Sequence, residues 1–164
     1  MSTQSKKISS LPPICGDNPQ VLILGTMPGE ESLKEGKYYC SSNNIFWEMI
    51  AAIFNDGKDF ANYEEKTACL IHNHIALWDV YESCSRSGSL DKDIANAVPN
   101  NIAQFLKEHP TIRRIVTNGK KAHSALSKQR IRAIIDLAPS TSSANTHQNF
   151  DQKVAAWRRA LAEE

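Results

Sequence analysis

Four consecutive apolar residues, Val21-Leu22-Ile23-Leu24, closed by Gly25 and then by Pro28-Gly29, constrain this chain more than any other feature of it. A run this short reads as a strand. Neighbouring strand residues face opposite sides, so a strand with no polar member must be covered on both faces. That is the position of a parallel strand inside a sheet flanked by two helical layers. Ile75-Ala76-Leu77-Trp78, Ile112 to Val116 and Ile131 to Leu137 read as three further strands, the last interrupted by Arg132 and Asp136. Between them, Asn43 to Asn55 reads as a helix with Ile45, Phe46, Met49, Ile50, Ile53 and Phe54 on one face. Tyr63 to Asn73 is a weaker helical segment, and Pro99 to Glu108 and Lys120 to Ser127 read as helices. Phe150, Val154, Trp157 and Leu161 mark an amphipathic helix at the C-terminal end. Thr26 to Ser42 reads as a loop with one helical turn near Glu31 to Glu35, and Ser83 to Leu90 as a polar surface loop. The alternation predicts an α/β fold, a three-layer αβα sandwich around a mainly parallel four-stranded sheet.

A chain of 164 residues suits one domain. The reading assigns residues 19–164 to it and residues 1–18 to a flexible N-terminal tail. The polar start Met1 to Ser10 is not followed by an apolar stretch, so no signal peptide is expected, and no apolar run is long enough to span a bilayer. The expectation is a cytoplasmic monomer, nucleoid-associated if prokaryotic, with no membrane partner. Cys15, Cys40, Cys69 and Cys84 form no C-x-x-C pair. His72 and His74 have no third ligand at useful spacing. No metal and no other cofactor is therefore expected, and the thiols are read as free. Nineteen basic against eighteen acidic residues leave a formal charge of +1. Such a balance permits nucleic-acid binding without demanding it. Any basic patch has to be local, and affinity should fall quickly as salt rises.

In an open α/β sheet, ligands bind beyond the carboxyl ends of the strands. That selects three loops: Gly25-Thr26-Met27-Pro28-Gly29, the segment after Trp78, and Ala138-Pro139-Ser140-Thr141-Ser142-Ser143-Ala144-Asn145. Pattern alone places a pocket there and assigns it no chemistry.

Two of these loops resemble the signature motifs of the uracil-DNA glycosylase superfamily. The first is Gly25-Thr26-Met27-Pro28-Gly29-Glu30-Glu31-Ser32, followed by Tyr38-Tyr39 and Asn44-Ile45-Phe46-Trp47. The second is Pro139-Ser140-Thr141-Ser142, continuing to Ala144-Asn145. Between them, Ala76-Leu77-Trp78-Asp79-Val80 and Gly88-Ser89-Leu90-Asp91 resemble the hypoxanthine-excising branch. The resemblance spans about residues 20 to 160. It departs from the mismatch-specific thymine/uracil branch at Met27, where that branch carries the asparagine that positions the attacking water. Met27 has no donor with which to do this. Ala138 and Ser143 stand where the second motif commonly shows Leu and Pro.

The resemblance implies a monofunctional DNA glycosylase of base excision repair. It would hydrolyse the N-glycosidic bond of a flipped, deaminated base, foremost hypoxanthine and then uracil, in DNA as partner. A base inside a duplex cannot be reached, so it is extruded into a pocket that restores stacking and stabilises the departing base anion. The implied catalytic residue is Asn44, the asparagine ahead of the Phe-Trp pair. It can donate to the base or hold a water but cannot act as a general base. Gly25, Thr26, Met27, Pro28, Tyr39, Phe46 and Asp79 are the implied base-binding set, with Tyr39 as the stacking ring. Ser140, Thr141, Ser142, Asn145 and His147 are the implied DNA-binding set, with hydroxyls and N–H groups for phosphates and His147 as a wedge. No lysine belongs to the motifs, so no Schiff-base lyase step is expected.

Plainer readings stand beside these. Gly25 and Pro28-Gly29 can be an ordinary turn. Asn44 can be a helix N-cap. Phe46 and Trp47 can be core. Asp79 can make a structural hydrogen bond. Arg158 and Arg159 read as a solvated helix face. Two other functions also remain open: a G:T/G:U mismatch-specific uracil/thymine glycosylase, against which Met27 speaks, and a non-catalytic module binding damaged DNA or a free nucleobase.

Overall fold

The computed structural model describes residues 7–162. Its centre is a four-stranded, fully parallel sheet of β2 (Val21–Gly25), β3 (Ile75–Asp79), β6 (Arg114–Asn118) and β7 (Ile134–Ala138), in the order β3-β2-β6-β7. All five residues of β2 are buried, as a central strand covered on both faces requires. Its side chains sort by parity. Val21 and Ile23 join one core with Phe46, Ile50, Leu70 and Trp157, and Leu22 and Leu24 join the other with Ile102, Phe105, Ile115 and Leu126. The first core is built with α2 (Phe46–Phe54), α3 (Tyr63–His72) and α6 (Phe150–Leu161), the second with α4 (Ile102–Glu108) and α5 (Lys120–Ser127). The expected three-layer αβα sandwich is what the chain forms.

Local chemistry sets the helix ends. Asn62, Asn101 and Asn149 each accept the N–H of the residue three further on, at the starts of α3, α4 and α6. At α6, Gln152 returns a bond to the Asn149 N–H, completing a capping box. The short helix α1 (Glu30–Glu35), which includes the expected turn, ends at Gly36 in the left-handed region.

A second sheet departs from the sequence reading. β1 (Lys7–Ser9) and β5 (Ala95–Pro99) flank β4 (Tyr81–Ser85) in antiparallel pairs. The expected surface loop over Ser83 to Leu90 thus begins as a strand, with Ser83, Cys84 and Arg86 buried. Nor are residues 7–18 a free tail: β1 pairs with β4, Ile14 bridges Leu77, and the Tyr38 hydroxyl donates to the Pro12 carbonyl at 2.9 Å. Residues 1–6 of that expected tail lie outside the described residues. Pro99 closes β5, and α4 starts three residues later than expected because Asn101 caps it. The strands expected at 112–116 and 131–137 run at 114–118 and 134–138. Among the described residues no helix is long and apolar enough to cross a membrane, and no group of three or more His, Cys, Asp or Glu is placed to hold a metal ion.

Candidate active site

The carboxyl ends of β2, β3, β6 and β7 open into a cleft of about 880 Å³. That lies within the usual range of small-molecule sites, roughly 300–1,000 Å³. The loop after β2, the segment before α2, and the loop after β7 form its walls, so Asn44, Tyr39 and the Pro139–Asn145 segment face one space. Every site residue expected from the sequence lines it except Phe46.

Phe46 is instead fully buried in the core, where its ring stacks on that of Tyr39 with centroids 4.2 Å apart. It supports the wall from behind. Tyr39 is the ring that reaches the cleft, and its φ of 52° places it in the left-handed region, rarely adopted by a bulky side chain. The Tyr39 hydroxyl accepts a hydrogen bond from Asn118 Nδ2 at 3.0 Å. Burial, with Asp79 nearby, pushes that hydroxyl above its ordinary pKa range, so it stays protonated.

Asn118, the last residue of β6, was not anticipated. It is buried, and its side chain makes three hydrogen bonds to two residues. Besides Tyr39, its Nδ2 donates to Thr141 Oγ1 at 3.0 Å, and its Oδ1 accepts the Thr141 N–H at 3.0 Å. The Thr141 carbonyl in turn accepts the Ile45 N–H at 3.1 Å. Thr141 was expected to touch DNA. Its residue is 1% exposed and its polar groups point inward, so it ties the second motif to the first. Asn145 is also used internally: Nδ2 donates to the Ser140 carbonyl, and Oδ1 accepts the His147 N–H. The loop is anchored from below by the Trp157 indole N–H on the Pro139 carbonyl, 2.8 Å, and by Lys153 Nζ on the Asn145 carbonyl, 3.0 Å. Ser140 and Ser142 keep half-exposed hydroxyls on the cleft wall, and His147 is exposed at its edge.

Asn44 is not the N-cap of α2, a position that Ile45 takes. Its Oδ1 accepts the Phe46 N–H at 2.9 Å across the start of that helix, and the residue is half-exposed on the cleft. With its carbonyl oxygen bonded at the helix start, the side chain keeps its NH₂ group as a donor.

The floor is carboxylate-rich and closely packed. Asp79 is 2% exposed and ends β3 opposite Gly25. A Cβ on Gly25 would stand 2.5 Å from Asp79 Oδ1 and 2.7 Å from the Tyr39 hydroxyl oxygen, which is why glycine occupies this position. The Asp79 main-chain carbonyl accepts Asn100 Nδ2 at 2.9 Å. Among the described residues its Oδ2 has no partner. Burial foremost, and then Asp91, push the Asp79 carboxyl up to about 7, against an opposing pull from Arg86. Asp91 accepts Thr26 Oγ1 at 3.1 Å, and burial raises its pKa too. Arg86, itself buried, donates from Nη2 to the Pro28 carbonyl and so fixes the first-motif loop.

Chemically, the cleft presents the half-buried Tyr39 ring, the Asn44 amide and a carboxyl poised near neutrality. Comparison with known proteins accords with that. A family model described as the uracil DNA glycosylase superfamily matches residues 12–161. A hypoxanthine DNA glycosylase of Methanosarcina acetivorans is 35% identical over 111 residues, 68% of this chain and 70% of that protein. One from Methanosarcina barkeri is 31% identical over 116 residues, 71% of this chain and 73% of that protein. A solution NMR structure of a candidate uracil DNA glycosylase from M. acetivorans superposes with a TM-score of 0.78 at 29% identity, covering 96% of this chain and 100% of that one.

Proposed function

The chain belongs to the uracil DNA glycosylase superfamily and is a DNA glycosylase, and from that premise we propose that it releases hypoxanthine from deoxyinosine, accepts uracil more weakly, and works by hydrolysis alone. The observation that carries this reading is the convergence of Asn44, Tyr39 and the Ser140–Ser142 loop on one cleft, with Met27 in place of a first-motif asparagine. The two curated relatives of this chain named above are hypoxanthine DNA glycosylases.

In this reading the extruded base slides against Tyr39, whose opposite support is the Phe46 ring. Stacking of this kind contributes roughly 1–3 kcal/mol per base and offsets part of the lost base-pair stacking. The Asn44 NH₂ donates to the base as its glycosidic bond lengthens and negative charge collects on it. Asp79, with its pKa raised to about 7, is neutral over the lower part of the physiological range and adds no opposing charge there. Ser140 and Ser142 offer hydroxyls to the phosphates beside the lesion, with His147 at the strand edge. Lys153 is committed to the Asn145 carbonyl, and hydrolysis is assigned to water.

The test is an oligonucleotide with one deoxyinosine, one with uracil and one with a G·T mismatch, with the released base identified by mass spectrometry. Hypoxanthine release should be fastest, and borohydride should trap no protein–DNA adduct. Asn44→Ala should lower the single-turnover rate at least tenfold more than it lowers DNA affinity. Equal losses in the two would remove Asn44 from the chemistry. Absence of any base release by the folded protein would favour a module that only binds.

A further inference from the structure

The cleft itself carries little of the positive charge that suits a DNA strand. Among the described residues lining it, Lys120 is the one lysine or arginine, against Glu30, Glu31, Asp79 and Asp91. A chain with a net charge of +1 has to gather positive charge locally to hold phosphates. A second, smaller cavity of about 230 Å³ is such a place. It adjoins the cleft, because Tyr38 and Tyr39 line both. It also lies at the same end of the molecule. The helix α3 turns back into β3 through Asn73 and His74 and packs against it, so its first turn, at Asn62 and Tyr63, sits by the carboxyl ends of the strands.

The walls of this cavity combine aromatic rings with two lysines. Phe60 and Tyr63 are half-exposed there, beside the buried Trp47. Lys37 Nζ lies 5.6 Å from the Tyr63 ring centroid, and Lys66 Nζ 5.8 Å from that of Trp47. Among the described residues neither ammonium is in an ion pair, so both can meet an anion. The rings are fixed. The Tyr63 hydroxyl accepts the Tyr38 N–H at 2.9 Å, and the Trp47 indole N–H donates to the Tyr38 carbonyl at 2.7 Å. Together they hold the Tyr38 main chain on both sides, immediately before the left-handed Tyr39. Rings already held in place lose little freedom on meeting a ligand. The volume falls below the roughly 300–1,000 Å³ of drug-sized ligand sites and suits a single flat ring. Aromatic faces for a base, with cations for its phosphate, are the components of a single-strand nucleic-acid site.

Resting on the glycosylase reading above, we propose that this cavity holds the nucleotide next to the extruded one in the same strand, its base against Phe60 and Tyr63 and its phosphate at Lys37 and Lys66. Tyr39, which lines both cavities, stands between the two bases. The site is indifferent to sequence, because every base has a face to stack. It grips the strand and does not act on the glycosidic bond.

The experiment measures affinity by fluorescence anisotropy for single strands that carry a stable abasic analogue at the target position and grow by one nucleotide at a time in either direction. For wild type, one added nucleotide, on one side only, should tighten binding about tenfold, as a stacked base does. Removing the base of that nucleotide alone should abolish the gain. Phe60→Ala should not show the step. The doubly substituted Lys37→Gln, Lys66→Gln protein tests the cavity without touching the packed ring. It should lower the slope of log affinity against log salt by about 0.7, the loss of one single-strand phosphate contact. A smooth gain with length on both sides, the same in wild type and Phe60→Ala, or a salt slope unchanged by the two glutamines, would overturn the site. The readout needs no base release, so it is independent of the hypoxanthine assignment. A folded wild type that binds no strand of any length would sink the glycosylase reading together with the site, whereas binding without the step sinks the site alone.

Discussion

Gly25→Ala is the perturbation that most directly probes the cleft floor. Gly25 is not among the residues with positive φ, so alanine incurs no backbone penalty there. The added methyl would stand 2.5 Å from Asp79 Oδ1 and 2.7 Å from the Tyr39 hydroxyl, where ordinary contact begins near 3.4 Å. One or both groups must retreat by somewhat under 1 Å, about 0.9 Å for the carboxylate and about 0.7 Å for the hydroxyl. Neither has an easy exit. The Tyr39 ring is stacked on Phe46 and its hydroxyl is held by Asn118, and the Asp79 backbone is pinned by Asn100.

Overpacking of this kind costs about 1–3 kcal/mol of stability. The larger effect falls on chemistry, because displacing a substrate-positioning group by about 1 Å lowers rates on the order of 100-fold. Single-turnover base release with enzyme in excess should therefore fall about 100-fold, while DNA affinity by fluorescence anisotropy changes only a few-fold. In the Gly25→Ala background, Tyr39→Phe removes one of the two clashes and should recover part of the rate. A folded Gly25→Ala protein that releases base within twofold of wild type would refute the claim that Tyr39 and Asp79 are positioned through this contact.

The remaining expectations concern charge and the hydrogen-bond network. The folded Asp79 pKa of about 7 lies above the unfolded value near 4, so the native state binds more protons between those values. Its contribution to stability is present below about pH 4 and is lost as pH rises through about 7, by at most about 4 kcal/mol. Asp79→Asn should match wild type in melting temperature near pH 4 and exceed it increasingly towards pH 8, with a parallel difference showing that Asp79 is not the titrating group. The same ionisation places negative charge beside the departing base anion. The single-turnover rate should then decline above about pH 7, and the variant should lack that inflection. Asn118→Asp removes both donors to Tyr39 and Thr141 but keeps the acceptor for the Thr141 N–H. Asn118→Ala also orphans that buried N–H and should cost a further 1–3 kcal/mol or so in denaturant unfolding. Equal stability of the two variants would mean that the Thr141 N–H bond contributes nothing.

The parallel sheet was legible because its central strand has no polar residue to misplace, and the helices because their apolar residues recur at helical spacing. Motif order brought Asn44, Tyr39 and the Pro139–Asn145 loop together before any coordinates did. What stayed hidden has specific causes. Asn-Gly is a common turn pair, so nothing in the sequence extends the 112–116 strand to Asn118 or marks that asparagine as buried with three hydrogen bonds. The β4 segment Tyr-Glu-Ser-Cys-Ser carries little apolar signal, and its strand character comes from pairing with β1 and β5, which local pattern does not encode. Arg86 lies among residues that read as solvated, yet its partner is a carbonyl 58 positions away. Phe46 could be assigned either to the cleft or to the core, because both lie on the same side of the α2 start, and only the Tyr39 ring stacked against it decides the matter.

These hidden residues share a consequence for mechanism. In the proposed mechanism an amide and a carboxyl with a pKa of about 7 are weak catalytic groups, so rate has to come from placement, and placement is set by contacts between the motifs. Thr141 is where they meet: its N–H and hydroxyl engage Asn118, which holds Tyr39, and its carbonyl takes the Ile45 N–H, next to Asn44. Tyr39, the start of α2 beside Asn44 and the Ser140–Ser142 loop are thus one hydrogen-bonded unit with the end of β6 as its pivot. If Ser140 or Ser142 takes a phosphate, as proposed, the pull falls on the same loop that locates the ring and the amide. Grip on the backbone and alignment of the base would then be coupled. On that proposal a chain with a net charge of only +1 needs few backbone contacts, because the ones it makes also complete the site.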